Sequence, residues 1–267
     1  MNLSLNFEES AIRLLIFLGL LALIALLEAI FPRRRTSSDR LSRWPHNISI
    51  SFVSQLLVRF LIPVTAVAFA ATAQNEAWGI LNKVDLSVGL ELILALLLLD
   101  LTIYWQHRVF HLIQPLWRLH RMHHADLFFD VTTGIRFHPL SIVLSILIKI
   151  FTVFLTGPSA FAVLVFEILL NATSLFNHSN LRIPENIDKF LRLFIVTPDM
   201  HRVHHSTDGA EMNHNFGFNF PWWDRLFSSY LAAPKLGHQN MQIGLPIFRS
   251  RNEKLIWRML TQPFRDA

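Results

Sequence analysis

Cysteine is absent from the 267-residue sequence. Disulfides and thiolate metal sites are therefore impossible, and so are iron–sulfur and covalent haem motifs, which need cysteine. Glycine is scarce, with 9 residues, and none of them forms the GxGxxG motif of dinucleotide-binding folds. Any metal must be held by histidine, carboxylate, backbone oxygen or water, and electrons for a redox reaction must come from a separate donor.

Charged residues are also few, at 16% of the chain, whereas hydrophobic residues make up 52%. This balance favours a membrane protein over one or two soluble domains. The net charge of +5 is spread among arginines that flank apolar runs, such as those at positions 33–35, rather than gathered in one basic patch. We therefore expect attraction to anionic lipid headgroups and no binding of nucleic acid.

Five apolar runs are long enough to cross a membrane as helices, since about 20 helical residues span the hydrocarbon core. These runs cover residues 10–31, 48–71, 86–106, 140–155 and 159–176. Pro63 is expected to kink the second span, and a short turn at Gly157-Pro158 predicts a helical hairpin of the fourth and fifth spans. The sequence thus predicts an all-α, polytopic membrane protein with about five transmembrane helices.

The order of charges around the first span predicts its orientation. Glu8 and Glu9 precede it, and the basic loop 33–43 follows it. A cleavable signal peptide has the reverse order, so this span is predicted to be an anchor. By the positive-inside rule the basic loop is cytoplasmic, and the first, third and fifth spans all end on that side. We expect a multi-pass protein, located in the inner membrane if bacterial.

Histidines are concentrated in three short boxes, although the whole chain has only 13. Residues at i, i+3 and i+4 share one helical face, because a helix turns about 100° per residue. Clustered imidazoles repel each other when protonated and need partners when buried, and metal ions meet both needs. Crossing counts place all three boxes on the cytoplasmic face. His46 and His238 have no histidine neighbours and are expected to be ordinary core or surface residues. The boxes are His107 and His111; His120, His123 and His124; and His201, His204 and His205.

An all-imidazole donor set suits iron, zinc, copper or nickel and argues against magnesium or calcium. The boxes hold eight histidines, and a single zinc ion takes about four ligands. Two metal ions with about four or five ligands each account for the number. Two redox metals beside a membrane suggest activation of O₂ against an unreactive C–H bond of a lipid.

With these boxes the chain resembles the fatty acid hydroxylase superfamily, in its bacterial sterol desaturase-like branch, which is related to alkylglycerol monooxygenase. The resemblance covers roughly residues 95–234. It implies two histidine-bound irons that use O₂ to hydroxylate or desaturate lipids or to cleave their ethers. It rests on DLTIYWQHRVFH at 100–111, WRLHRMHH at 117–124, DVTTGIRFHPL at 130–140, FNHSN at 176–180, TPDMHRVHHS at 197–206 and WDRLFSSY at 223–230.

The resemblance also predicts three regions. Residues 1–94 form N-terminal spans and a linker, residues 95–234 form the catalytic domain, and residues 235–267 form an amphipathic tail. Within the tail, Leu255, Ile256, Met259 and Leu260 share one face of a helix over 252–262. Such a helix is expected to lie on the membrane surface.

Carried over residue by residue, the resemblance implies that the eight box histidines are iron ligands and that His178 is a ninth. His138 is expected to be a ligand, a proton donor beside the ligands, or a residue that starts a helix. Asp100 and Asp199 are candidates for orienting ligand imidazoles through the nitrogen that is not on metal. Alternatively, Asp100 reaches toward the membrane interface, and Asp199 is a carboxylate at a helix N-terminus. His214 departs from the family pattern and is expected to contact solvent or headgroups.

Two other functions stay open at this point. A metal-dependent lipid hydrolase would use a metal-bound hydroxide and would work with zinc and without O₂. A non-enzymatic metal-binding or transport protein would need charged residues along a path through several spans, and only Asp100 and Glu167 lie at depth. For the oxygenase, the expected partners are a lipid substrate, the membrane, and a reductase or small reductant such as a reduced pterin.

Overall fold

In this computed structural model the chain is described over residues 3–35 and 39–266, with side chains from residue 11 onward. The predicted acidic pair, Glu8 and Glu9, therefore has side chains outside the described part. All regular elements of the described ranges are helical, which confirms the predicted all-α class. The α-helices are α1 Leu3–Ile30, α2 Arg40–Leu61, α3 Ala66–Asn75, α4 Val88–Leu112, α5 Gln114–His124, α6 Pro139–Thr156, α7 Ala160–Asn177, α8 Glu185–Leu191, α9 Pro198–His204, α10 Gly209–Met212, α11 Trp222–Leu226, α12 Gly237–Asn240 and α13 Ile256–Thr261.

Five helical segments in the described chain are long and apolar enough to cross a membrane, as predicted. Large apolar side chains project outward from them, such as Leu15, Phe60 and Phe151, which are 70%, 83% and 60% exposed. A protein that turns such residues outward is suited to lipid rather than water as its solvent. The segments are Ala11–Ile30, Arg40–Asn75, Val88–Leu112, Pro139–Thr156 and Ala160–Asn177.

The second span is broken rather than kinked. Helix α2 ends at Leu61 and α3 starts at Ala66, with Pro63 between them. Proline has no backbone N–H and clashes with the preceding turn, so the helix stops there. Thr65 restarts it, since its side-chain hydroxyl accepts a hydrogen bond from the backbone N–H of Ala68 at 3.1 Å.

Two glycines hold the ends of the spans together on the side away from the histidine boxes. Gly157, with φ +66°, ends α6 and lies against the loop that precedes α4. A Cβ atom on Gly79 would lie 2.2 Å from the Gly157 backbone nitrogen, so only glycine fits there. The predicted hairpin of α6 and α7 is thereby fixed against the chain between α3 and α4.

The basic loop and the histidine boxes lie on the same side of the spans. The backbone N–H of Arg33 donates to the Asn180 carbonyl at 2.7 Å, and that of Arg182 donates to the Phe31 carbonyl at 2.8 Å. These bonds join the chain after α1 to the chain after α7, close to His178. The sequence prediction that both features share one side is therefore consistent with the fold.

The C-terminal tail differs from its prediction. Residues 252–262 form two short helical pieces instead of one surface helix, and α13 covers only Ile256–Thr261. Met259 is fully buried against Ile50 of α2 and Met122 of α5. The apolar face of the tail thus covers α5, the helix of the second histidine box, from outside.

The predicted boundary between residues 94 and 95 lies within a continuous helix, α4.

Candidate metal centre

Four segments carry the predicted ligands to one place. The first box lies in the last turns of α4, and α5 begins two residues later with a proline in its first turn, so the second box folds back toward the first. His201 and His204 of the third box lie on α9 and His205 directly follows it; Thr197 caps the start of this helix, since its hydroxyl accepts from the Met200 N–H. His178 directly follows α7. All nine predicted ligands are buried except His111, which is partly buried.

The nine histidines separate into two groups. We call them the five-histidine cluster and the four-histidine cluster. In each cluster one nitrogen from every member lies within 4.8 Å of those of the others, so either cluster could hold a metal ion. The five-histidine cluster contains His107, His111, His120, His124 and His204, and the four-histidine cluster contains His123, His178, His201 and His205.

Hydrogen bonds determine which nitrogen points inward in the five-histidine cluster. The Nδ1 of His107 lies 2.9 Å from the Phe216 carbonyl, and the Nδ1 of His204 lies 2.8 Å from the His214 carbonyl. A carbonyl can only accept, so both Nδ1 atoms must carry the proton. In the neutral rings each Nε2 then presents a lone pair, and the two Nε2 atoms are 2.9 Å apart. Two lone pairs at this distance repel each other unless a cation lies between the rings.

The four-histidine cluster repeats this arrangement. His123 Nδ1 donates to the Arg136 carbonyl at 3.2 Å, and His178 Nδ1 donates to the Ser174 carbonyl at 2.8 Å. Their Nε2 atoms face each other at 3.1 Å. His205 is fully buried, and neither of its nitrogens has a hydrogen-bond partner among the described residues. An unpaired buried imidazole is costly, so this donor set also fits a metal ion.

Burial keeps the imidazoles outside the spans neutral. It lowers the pKa of His178 to about 3. Burial, reinforced by neighbouring imidazoles, also lowers the pKa values of His123 and His205 well below the ordinary value for histidine. Neutral imidazole is the form that binds metal, so the protein holds these ligands in the binding-competent state at neutral pH.

Asp100 lies outside hydrogen-bonding contact with the histidines and holds a loop instead. Its carboxylate accepts from the backbone N–H groups of Asn219 and Phe220, each at 3.2 Å, and from Trp223 Nε1 at 2.8 Å. The same loop supplies the Phe216 carbonyl that binds His107. Asp100 therefore does not contact a ligand imidazole as predicted. It acts on His107 only through the loop that carries the Phe216 carbonyl.

Asp224 holds the other end of this loop, at residues 216 and 217. Its two carboxylate oxygens accept from the backbone N–H groups of Phe216 and Gly217, each at 2.8 Å. A Cβ on Gly217 would lie 2.6 Å from an Asp224 oxygen. It would also lie 2.9 Å from the Phe220 backbone carbonyl oxygen, so glycine is the residue that fits this position. Two buried carboxylates, Asp100 and Asp224, together fix the carbonyl that orients His107.

Asp199 also contacts cations rather than ligand imidazoles. Its carboxylate accepts from Arg33 Nε at 2.8 Å and from the Arg202 guanidinium. Arg202, which is fully buried, donates in addition to the Ser179 carbonyl at 3.1 Å. The ion pair therefore ties α9 to the residue that follows His178. His238 lies beside this ion pair, with its Nε2 3.7 Å from Oδ2 of Asp199, and it belongs to neither cluster.

His138 belongs to neither cluster and starts a helix. Its Nδ1 accepts from the Leu140 backbone N–H at 3.2 Å at the beginning of α6. Its Nε2 lies 3.2 Å from the Leu260 carbonyl and must carry the proton. This tautomer leaves no lone pair for a metal ion. Of the three roles open to His138, the contacts support the helix start.

Sequence reasoning missed the groups that orient the ligands. Four of them are backbone carbonyls, which no residue type reveals, and one of these belongs to His214. The His214 ring itself bonds to the Ala210 carbonyl at 2.6 Å. Asp224 could have been found, because it lies in the WDRLFSSY stretch.

A cavity of about 420 Å³ reaches the metal centre from among the spans. His107 and His120 line one part of it, and the remainder is lined by residues of α1, α2, α4, α6 and α7 together with loop residues at 134–137 and 218. We call it the interior cavity. Its walls combine apolar side chains such as Phe110 and Phe218 with hydroxyl and amide groups such as Ser54 and Asn171. A ligand in this cavity would lie against two of the nine histidines.

Comparison with known proteins gives a family and several relatives. The fatty acid hydroxylase family model matches residues 92–229, just over half of the chain. The ornithine lipid hydroxylase OlsE of Rhizobium tropici is 25% identical over 229 residues, which are 82% of this chain and 67% of that protein. Alkylglycerol monooxygenases of Danio rerio and Homo sapiens are 30% and 29% identical over 51% and 52% of this chain, but over only 30% of their own length. No solved structure matches the chain.

Proposed function

The chain belongs to the fatty acid hydroxylase family, and on that premise we propose that it is a membrane-bound di-iron oxygenase that uses O₂ to hydroxylate a lipid. One observation carries the proposal. Two clusters of buried imidazoles, of five and four members, lie next to each other, and the five-histidine cluster lines one end of a cavity between apolar spans through His107 and His120. This arrangement suits a reaction at a C–H bond that is kept away from water.

The donor set supports two metal ions of the iron, zinc, copper or nickel type. We propose iron because the relatives are named for hydroxylation and monooxygenation, and a metal that takes part in these reactions must exchange electrons. Bound iron would supply the one chemistry that no side chain offers, the activation of O₂. The overall change is RH + O₂ + 2e⁻ + 2H⁺ → ROH + H₂O.

The protein's own residues would have three tasks. The histidines hold the metals, and the Phe216, His214, Arg136 and Ser174 carbonyls hold four of the rings in the required tautomer. Asp100 and Asp224 fix the loop that carries one of these carbonyls. The interior cavity places a lipid carbon beside His107 and His120 and excludes bulk water.

Electrons are proposed to come from a separate donor. The chain has no cysteine and no GxGxxG motif, so no cysteine-based or dinucleotide cofactor is indicated. A reductase or a small reductant such as a reduced pterin would deliver two electrons per turnover. By the positive-inside rule the metal centre would face the cytoplasm, and in a bacterium the protein would reside in the inner membrane.

The substrate class we propose is a lipid with a fatty acyl, sterol-like or ether-linked alkyl group. Desaturation and ether cleavage start from the same hydrogen abstraction as hydroxylation, and the placement of the substrate decides between them. Hydroxylation is favoured because it is the reaction named for the relative that matches the largest share of this chain among those above.

Lipid analysis under ¹⁸O₂ tests the proposal. Cells that express the chain, cells without it and cells with the His204→Ala variant are compared. One new lipid that carries a single ¹⁸O atom, present only with the unaltered protein, is the expected result. A new double bond without label would replace hydroxylation by desaturation. A lipid change that persists without O₂ would contradict the proposal and favour a metal-dependent hydrolase.

A further inference from the structure

A second cavity, of about 590 Å³, lies between α4 and α6 on the outside of the bundle. We call it the α4–α6 groove. Its lining is almost entirely apolar, with Leu98, Val109, Leu144 and Ile148 among its residues. Leu147 and Phe151, next to it on α6, are 49% and 60% exposed, so this part of α6 faces the membrane. The hydrocarbon of the bilayer is therefore in direct reach of the groove.

Two residues separate the α4–α6 groove from the interior cavity. Gln106 and Phe110 line both, and no other residue does so in the described part of the chain. Gln106 Nε2 donates to Ser145 Oγ at 3.0 Å and thereby links α4 to α6. The Gln106 side-chain oxygen is buried without a hydrogen-bond partner among the described residues. We call Gln106 and Phe110, with the Ser145 bond, the barrier.

The polar contact of the barrier is weak. A single neutral hydrogen bond contributes little net free energy, and an unpaired amide oxygen in an apolar setting destabilises the closed form. Displacement of these two side chains by rotamer changes would remove wall that the groove and the cavity share. His107, the neighbour of Gln106, lines the cavity immediately behind.

We propose that the α4–α6 groove binds the hydrocarbon chain of a membrane lipid, and that this chain reaches the histidine clusters by displacing the Gln106–Phe110 barrier. The apolar lining, the membrane-facing position and the shared residues with the interior cavity all favour an alkyl or acyl chain as the occupant. The inference rests on the proposed function, which gives the lipid its role as substrate. The route of the hydrocarbon chain can be tested separately.

A reversible cross-link provides the test, because the chain has no native cysteine. The double variant Gln106→Cys, Ser145→Cys is joined by a short bifunctional methanethiosulfonate reagent, and a reducing agent later removes the link. The control is Glu91→Cys, Ser159→Cys, which links the start of α4 to the start of α7, where the Glu91 carboxylate accepts from Ser159 Oγ at 3.0 Å. Each variant is compared with itself before linking, after linking and after reduction.

The readout is photolabelling, which does not depend on turnover. Proteoliposomes are loaded with a palmitic acid analogue that carries a diazirine on its chain, and labelled residues are identified by mass spectrometry. Ser54 of α2 is 2% exposed and lines only the interior cavity, so its label reports passage of the barrier. Phe52, on the same helix and 63% exposed, reports labelling from the bilayer and serves as the internal standard.

We expect the 106–145 link to lower the Ser54 to Phe52 labelling ratio at least about 10-fold, with recovery on reduction and no change in the control pair. An unchanged ratio would overturn the proposal and indicate another route, for example past Leu14 and Phe17 on α1, which also line the cavity. An equal fall in the control pair would overturn it too. If the ratio responds as expected but no lipid takes up ¹⁸O, the route stands and the proposed function fails.

Discussion

His107 and His204 face each other with their Nε2 atoms 2.9 Å apart, while the Nδ1 of each donates to a backbone carbonyl. The two residues come from different boxes, on α4 and α9. Because both outer nitrogens carry protons, the two inner lone pairs oppose each other. This arrangement fits a cation between the two rings, which would remove the repulsion between the lone pairs.

Substitution of His178 tests the division into two clusters. His178 belongs to the four-histidine cluster and its Nε2 lies 3.1 Å from those of both His123 and His201. We expect His178→Ala to lose about one of two bound metal ions and most activity, since one ligand of one metal is removed. Metal analysis of the purified variant measures this.

His138→Ala is the matched control, because His138 is buried nearby but lies outside both clusters. It should retain both metals and lose roughly 1 kcal/mol of stability, the usual contribution of a helix N-cap. Loss of metal from His138→Ala, at a level similar to that of His178→Ala, would contradict the assignment of the ligands.

Substitution of Asp100 tests whether the loop at 216–220 positions a ligand. In Asp100→Asn the new amide NH₂ faces groups that can only donate, so the loop should loosen and the Phe216 carbonyl should shift from His107. We expect metal affinity or turnover to fall roughly 10- to 100-fold, as is common when a group that supports a ligand is lost. Asp100→Leu should be worse, because three buried donors lose their acceptor at about 1–3 kcal/mol each.

Glu91→Gln provides the control for Asp100. Glu91 lies on the same helix and accepts from the Ser159 backbone N–H at 2.8 Å, at the far end from the clusters. It should leave metal affinity unchanged. Metal titration and turnover are measured side by side, and wild-type values for both Asp100 variants would remove Asp100 from the support of the site.

Single cysteines test the orientation in the membrane. Leu41→Cys and Ala210→Cys lie on the histidine side of the spans, and Glu76→Cys lies at the opposite side, all at exposed positions. In intact bacterial cells an impermeant thiol reagent should label only position 76, and positions 41 and 210 should react after the membrane is opened. Labelling of position 210 from outside would reverse the proposed orientation.

The sequence was sufficient for the features that repeat along one helix. The spans and boxes follow from hydropathy and from i, i+3, i+4 spacing, and all nine predicted ligands come together. It could not reveal that His123 and His124, adjacent on α5, belong to different clusters. That division depends on which histidines of distant segments meet each ring, His178 at His123 and His204 at His124, which is a tertiary property.

The same limit explains the contacts of the predicted carboxylates. Asp100 was expected to contact an imidazole because it lies two turns before His107 on α4, yet a loop more than 100 residues later supplies its partners. Asp199 likewise bonds to Arg33, which follows the first span. Spacing within a helix predicts shared faces, but it does not predict which distant segment packs on a face.

The metal content of the purified chain tests the central claim most directly. Protein from iron-supplied cells is analysed by mass spectrometry for iron and zinc per polypeptide, beside the His123→Ala and His204→Ala variants, which each remove a ligand from one cluster. We expect two irons per chain in the unaltered protein and a loss of about one in each variant. A single tightly bound ion, or none, in the unaltered protein would contradict a two-metal centre.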